Sequence, residues 1–258
     1  MHQTWPSVDG FPPLRPEPET GFLMPMPKVK GLVRLLKANQ LIAGLPRENQ
    51  DVLLARGEIV KLAFGDSLCK RRDRYVHTYF PLTGFISLTA SVAGHAPMEV
   101  GMIGNEGMLG ASMVLGGSEV PQDALVQGDG TALMLSAADT RALLATAPAF
   151  VRALNGYLFV LTLQLAQSVA CTRFHVVEAR LARWLLMTHD RMHKDRFYLT
   201  HQFLADMLGV QRSAVTIASV VLKDAGIIDY SRGEIRIIKR KELERLACEC
   251  YPAPVPLI

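Results

Sequence analysis

Residues 199–226 constrain the fold more than any other stretch, because they read as two helices around a tight turn. Thr200 is a good N-cap, and Gln202 and Phe203 open the first helix. Phe203, Leu204, Met207 and Leu208 recur at helical spacing and make one apolar stripe. Ala205 is small enough for two helices to cross closely. Gly209 ends the first helix, where a positive φ is wanted and glycine adopts it without strain. Val210, Val215, Ala218 and Leu222 form the inner face of the second helix. Gln211, Arg212, Ser213 and Thr216 are left exposed near its start. This is a helix-turn-helix, whose second helix can enter a DNA major groove with its N-terminal residues at the base edges. An ordinary helical hairpin needs the same stripe, so the neighbouring features must decide.

Two neighbours favour DNA. Residues 227–239 carry β-branched runs on either side of Ser231-Arg232-Gly233 and read as a hairpin, which makes the unit a winged helix. Charge also segregates. Between Arg173 and Cys250 there are 14 Lys+Arg against 10 Asp+Glu, so the whole formal charge of +4 lies in this segment. Phosphate contacts need it there.

A chain of 258 residues can hold two domains with real cores. Its apolar fraction of 49% is high for a monomer and points to a buried subunit contact. Cys69, Cys171, Cys248 and Cys250 show no disulfide framework, and the N-terminus lacks a basic start followed by an apolar core. A reducing, cytoplasmic setting is expected. Residues 1–27 carry seven of the fifteen prolines, which predicts a disordered tail. Residues 29–56 look helical, with a break at Gly44-Leu45-Pro46. From Glu58 to about Ser136 the texture changes to short β-branched or alternating runs cut by glycines. Strands are predicted at 59–64, 77–80, 85–89, 98–103, 124–126 and 132–135, with a short helix at 108–115. Gly65, Gly84, Gly94, Gly104, Gly116-Gly117, Gly128 and Gly130 are read as turns. Such a pattern indicates a β-roll or barrel.

After a short helix at 137–147, a long helix is predicted over residues 149–174. Nothing between Arg152 and Arg173 is charged, which raises a transmembrane reading. Asn155, Gly156, Thr162, Gln164, Gln167 and Ser168 dilute the run, and no membrane association is expected. Leu154, Leu158, Leu161, Leu165, Ser168 and Thr172 alternate at four and three residues, a coiled-coil-like seam assigned to a twin helix. Phe159, Leu163 and Ala166 lie off that seam, so a second face is buried too. The expected product is a homodimer, with a hinge near residues 175–177.

The order β-roll, long helix, winged helix resembles the Crp/Fnr family of bacterial transcription regulators. The resemblance covers residues 30–250 and is carried by residues 176–188 with 199–226, and by the roll segment Gly107-Met108-Leu109-Gly110. It implies an α+β chain: a tail (1–28), a jelly-roll-like β-roll sensor domain (29–148), a dimerisation helix (149–175), a winged helix-turn-helix (176–250) and a short tail (251–258). It also implies a dimer on a two-fold double-stranded DNA site and contact with RNA polymerase. Cyclic-nucleotide-binding members use a Gly-Glu pair for the ribose and an Arg-Ser pair for the phosphate. The matching positions here are Gly110-Ala111 and Gln122-Asp123, and the base-contacting hydroxyls fall at Leu165 and Ala166. An Asp beside a phosphate repels it, and Gln cannot replace the guanidinium fork. Cyclic AMP binding is therefore not expected. The family's iron–sulfur type places several cysteines near the N-terminus, and none precedes Cys69 here.

The family's recognition helix has an Arg three residues after the turn Gly, then Glu, then a second Arg. Arg212 keeps the first, Ser213 replaces Glu, and Ile217 stands at the last. Arg212 is the best candidate base contact, bidentate to a guanine. Gln211, Ser213 and Thr216 are further base or phosphate contacts. Thr200, His201, Gln202 and the wing residue Arg232 are phosphate candidates. Cys248-Glu249-Cys250 suggests a metal, but two thiols one residue apart are half a site, and His201 is badly placed to complete it. No metal or other cofactor is expected. Cys171 reads as a small buried residue, with an intersubunit disulfide as the alternative. No catalytic constellation emerges, so no enzyme is expected. The alternatives are a signalling module whose helix-turn-helix contacts protein, and a cyclic-nucleotide-type small-molecule sensor.

Overall fold

The computed structural model describes residues 38–252. The proline-rich tail and the start of the helical stretch lie outside them, as do residues 253–258. Chain order begins with two short helices, α1 (Gln40–Ala43) and α2 (Arg47–Arg56). Asn39 anchors α1. Its Oδ1 accepts from the Ile42 N–H, and its buried Nδ2 donates to the carbonyls of Pro81 and Gly107, both at 2.9 Å.

Five strands form one antiparallel sheet: β1 (Glu58–Leu62), β2 (Ser67–Cys69), β3 (His77–Ala90), β4 (Met98–Ile103) and β5 (Asp123–Ser136). The order is β1-β5-β3-β4, with β2 also paired to β5. Four of the strands expected from sequence are pieces of two. Residues 77–80 and 85–89 both belong to β3, and 124–126 and 132–135 both belong to β5. The glycines between them make bends, not turns. A Cβ on Gly84 would sit 2.2 Å from the Gly128 carbonyl oxygen, and one on Gly130 would sit 2.0 Å from that of Thr83. Register shifts at Pro81/Thr83, Thr83/Phe85 and Phe85/Ile86 mark the same place. Missing side chains let two long strands approach and fold the sheet over itself. The interior is filled by Phe80, Ile86, Ile103, Met108, Val126 and Leu133, all buried. The helix expected at 108–115 is a 3₁₀ turn over Ala111–Leu115, entered from Gly110 at φ +96°.

Helix α3 (Ala137–Thr146) starts at Ser136, whose Oγ accepts from the Asp139 N–H at 3.0 Å. The long helix α4 (Pro148–Phe174) follows. It is apolar and long enough to cross a membrane, yet one face is packed on the roll. Leu154, Tyr157, Val160, Gln164 and Cys171 are buried, and the Gln164 amide donates to the Met102 carbonyl.

This packing corrects the assignment of helix faces. Leu154 is fully buried in the core of its own roll, and Leu158 and Leu161 pack against that core. Leu165 faces Gly101 of β4, and Ser168 is half-buried with its hydroxyl returned to the Gln164 carbonyl. Only Thr172 of the expected seam is exposed. The face left exposed carries Phe159 (65% exposed), Leu163 (43%) and Val169 (71%), with Ala166 and Ala170 exposed as well. Both faces are apolar at helical spacing, and only the position of the roll tells them apart.

His175 and Val176 are extended and break the helix. Beyond them come α5 (Val177–Met192), β6 (Arg196–Tyr198), α6 (His201–Leu208), α7 (Arg212–Asp224), β7 (Ile228–Ser231), β8 (Glu234–Ile237) and α8 (Arg240–Leu246). The small sheet runs β6-β8-β7. Its β7–β8 turn has Arg232 at φ +49° and Gly233 at φ +86°, the two positive angles of a tight type I′ hairpin. Strand β6 and helix α8 had no clear sequence signal. One is three residues long, and the other is a single charged stretch that buries only Leu243.

Candidate nucleic-acid interface

The C-terminal winged helix-turn-helix head is built on Trp184, Leu185, Phe203, Leu204, Val215, Ala218 and Leu222, which share one buried core. Thr200 caps α6 by accepting from the Phe203 N–H at 3.1 Å. Gly209 takes φ +62° and closes the helix. The chain then re-enters a helix at Arg212, with Gln211 as its N-cap. Gln211, Arg212 and Ser213 are exposed on the first turn of α7, and Arg232 is exposed at the tip of the wing. The N–H groups of the first turn and a guanidinium at one helix start favour a polyanion.

The remaining candidates are partly engaged inside the head. The Thr216 hydroxyl donates to the Arg212 carbonyl, and His201 Nδ1 lies 3.0 Å from the Thr216 hydroxyl oxygen. With that hydrogen committed, Nδ1–H of His201 is the donor. The imidazole also stacks on Tyr230 of the wing, with ring centroids 4.2 Å apart. Burial, and then the nearby Arg212 charge, push the His201 pKa down, so the ring is neutral near pH 7 and offers a phosphate no full charge. The Gln202 amide donates to Asp206 within its own helix. His201, Thr216 and Tyr230 thus tie α7 to the wing. Lys223 is similarly occupied by the Tyr230 carbonyl and Asp229. Sequence spacing missed Tyr230, whose role depends on a hairpin folding back over α6. Ile217, Val220 and Val221 are exposed on α7 and present an apolar strip beside the polar turn.

The head is seated on the roll of the same chain. Phe85 and Met102 from the roll belong to the head's core. The Phe64 and Phe203 rings lie 5.7 Å apart, and the Gln127 amide approaches Met207 Sδ at 2.8 Å. Arg191 of α5 donates to Glu106 of the loop after β4, while within the head the Arg180 guanidinium donates to the Leu208 carbonyl. At the centre of this joint the Glu99 carboxyl accepts from Trp184 Nε1 at 2.9 Å and from the Ser87 hydroxyl.

Burial pushes the Glu99 carboxyl up to about 7, against the hydrogen bonds from Ser87 and Trp184 and the charges of Arg191 and Arg183. The folded protein therefore holds this proton where the unfolded chain, at its ordinary 4.5, has released it. Stability is expected to fall as pH rises from 4.5 to about 7 and to level off above. The side chain keeps some solvent contact, so the loss should be about 1–2 kcal/mol, less than the shift alone converts to. Glu99→Gln keeps an acceptor for Trp184 and should flatten this dependence. Urea unfolding followed across the same pH range checks it, and an unchanged slope in the variant would remove Glu99 from the account.

Cys171 does not lie on the free face of α4. It is buried against Cys248 of the same chain, with Cys250 and His175 alongside. His201 is not among them.

A β-roll carrying a long helix and a winged helix-turn-helix defines the class of this two-domain chain. Residues 179–246 match the model of the Crp-like helix-turn-helix domain. A search of curated proteins finds no match. Among solved structures, the fold is similar to a putative Crp/Fnr-family transcriptional regulator from Eubacterium rectale (TM-score 0.64, 14% identity, 81% of this chain and 98% of that one). It is also similar to FixK2 from Bradyrhizobium japonicum (TM-score 0.63, 14% identity, 74% and 98%). A third is CLP from Xanthomonas campestris, described as a c-di-GMP responsive global regulator (TM-score 0.61, 15% identity, 74% and 99%). Residues 179–246 thus carry a Crp-like helix-turn-helix domain, and the fold of the chain is similar to that of solved Crp/Fnr-family regulators.

Proposed function

We propose that the protein is a homodimeric, sequence-specific transcription regulator of the cytoplasm. Its recognition helix would lie in the major groove, and its roll would serve a regulatory role without binding cyclic AMP. The observation that carries this is the exposed Gln211-Arg212-Ser213 turn at the start of α7, flanked by Arg232 on the wing. Dimerisation is assigned to Phe159, Leu163, Ala166 and Val169, the unpartnered apolar face of α4. Twin helices packed there would set two heads side by side on a two-fold site. RNA polymerase is the partner that the family resemblance implies.

Three features support a roll without cyclic nucleotide. Gly110-Ala111 opens the 3₁₀ turn and brings no carboxylate. Asp123, at a position where the resemblance expects the phosphate-binding Arg-Ser pair, carries a carboxylate that accepts from the Arg71 N–H at 2.8 Å and would repel a phosphate. Leu165 and Leu161 pack toward Gly101 of β4, and Leu165 stands at one of the positions where the resemblance expects a base-contacting hydroxyl.

Selection of bound duplexes from a random DNA pool, with purified protein and no added effector, tests the reading. A two-fold motif with half-sites about one helical turn apart is the expected result. No binding even at low salt would favour a protein-contact role for the helix-turn-helix. Arg212→Ala should cost about 1–3 kcal/mol on the selected site and relax specificity at one base pair. Equal weakening on every sequence would reduce Arg212 to a phosphate contact.

A further inference from the structure

Two segments far apart in sequence meet where the long helix ends. Cys171 lies on the last turn of α4 and His175 at the break that follows, while Cys248 and Cys250 follow α8. The Cys171 and Cys248 sulfurs are 3.6 Å apart, and Cys250 Sγ is 3.7 Å from His175 Nδ1. All four ligand atoms lie within 4.8 Å of one another. We propose that Cys171, His175, Cys248 and Cys250 form a tetrahedral site for one zinc ion in each protomer.

The geometry suits that ion. Zinc–sulfur bonds of about 2.3 Å and zinc–nitrogen bonds of about 2.0 Å place ligand atoms about 3.5–3.8 Å apart along a tetrahedron's edges. A disulfide would need its sulfurs at about 2.05 Å, and all four cysteines are free. An iron–sulfur cluster sets several irons between its thiolates and holds them wider than a single-ion tetrahedron. Three sulfurs and one imidazole also match the donor preference of zinc over the hard cations.

The surroundings fit as well. His175 Nε2 lies 3.1 Å from the Glu249 carboxylate. That contact places the ring proton on Nε2 and turns the Nδ1 lone pair toward the sulfurs, the usual outer partner of a metal-bound histidine. Arg183 Nε donates to the Cys250 carbonyl, while its Nη2 is buried and has no hydrogen-bond acceptor among the described residues. Three thiolates around a divalent ion carry one net negative charge, which this guanidinium would balance. The sequence showed Cys248-Glu249-Cys250 as half a site, and the fold supplies the other half.

The site would clamp the C-terminal segment of the reading head to the end of the helix assigned to dimerisation. It spans the break at residues 175–176, so metal occupancy would fix the angle between helix and head. This consequence for DNA rests on the function proposed above, whereas the metal itself is measured without DNA.

The test uses full-length protein purified under reducing conditions without chelator. Elemental analysis should find one zinc per protomer. Reduced apoprotein titrated with Co²⁺ should show thiolate-to-cobalt charge transfer and tetrahedral ligand-field bands with a one-to-one end point, reversed by Zn²⁺. Cys250→Ser and Cys171→Ser should each lower affinity at least about a hundredfold. Glu249→Gln should lower it about 10–100-fold, and Cys69→Ser on β2 should not change it. Failure of the reduced wild-type protein to bind either ion stoichiometrically overturns the site. So does recovery of iron with acid-labile sulfide, or an equal loss of affinity in Cys69→Ser. A protein that takes up zinc but no DNA leaves the site standing and removes only its proposed effect on the reading head.

Discussion

Phe159→Asp is expected to separate the proposed dimer into folded monomers. Phe159 is 65% exposed on the free face of α4. In a two-fold contact each substitution enters twice, so two carboxylates would be buried against each other. A cost of about 3 kcal/mol or more follows from unpaired buried charge, which is about a hundredfold or more in the dimer dissociation constant. The two heads would then bind independently, and affinity for a two-fold site should fall by about 10²–10⁴ through loss of effective concentration. Sedimentation equilibrium and duplex binding check both parts. Leu154→Asp makes the contrast. That side chain is fully buried in its own roll, so the variant should unfold the protomer before it affects association. A Phe159→Asp protein that stays dimeric would move the subunit contact off α4.

Arg191→Met is expected to destabilise the protein by about 3–5 kcal/mol, the cost of leaving one member of a buried pair alone. Arg191 Nη2 lies 2.5 Å from Glu106 Oε1, and the two side chains keep 8% and 14% of their surface. Arg191 Nε also donates to that oxygen, and Nη1 donates to the Met187 carbonyl. Without the guanidinium, Oε1 of Glu106 keeps only the Gly104 N–H. The double variant Arg191→Met/Glu106→Leu should recover most of the loss, because no orphaned charge remains. Since the pair joins α5 to the loop after β4, the single variant should also loosen the head from the roll. Tryptophan fluorescence reports this through Trp184, which donates to Glu99 in the same joint. A loss below about 1 kcal/mol would mean that water screens the pair.

Much of the head was legible because its signals are local. A cap at Thr200, a left-handed glycine at Gly209 and a tight turn at Arg232-Gly233 each depend on a few neighbouring residues. The apolar spacing of α6 and α7 encodes their shared face in the same way. The glycines of the roll misled for the converse reason. Gly84 and Gly130 look like turn residues, but their role is set by the strand that crosses them. The binding candidates divide along the same line. Gln211, Arg212, Ser213 and Arg232 are exposed as their spacing implies, whereas His201 and Gln202 are held by Tyr230, Thr216 and Asp206.

The sequence by itself determined the α+β order, the helix-turn-helix with its wing, and a long helix with more apolar surface than one contact needs. Periodicity, capping and turn chemistry are short-range properties, and they survive without knowledge of the fold. Only the tertiary structure decided which face of α4 meets the roll, since Leu154 and Phe159 are equally apolar and differ only in what lies opposite. It alone brought Cys171 and His175 to Cys248 and Cys250, because ligand geometry is a property of distance in space, and more than seventy residues of chain separate the two halves.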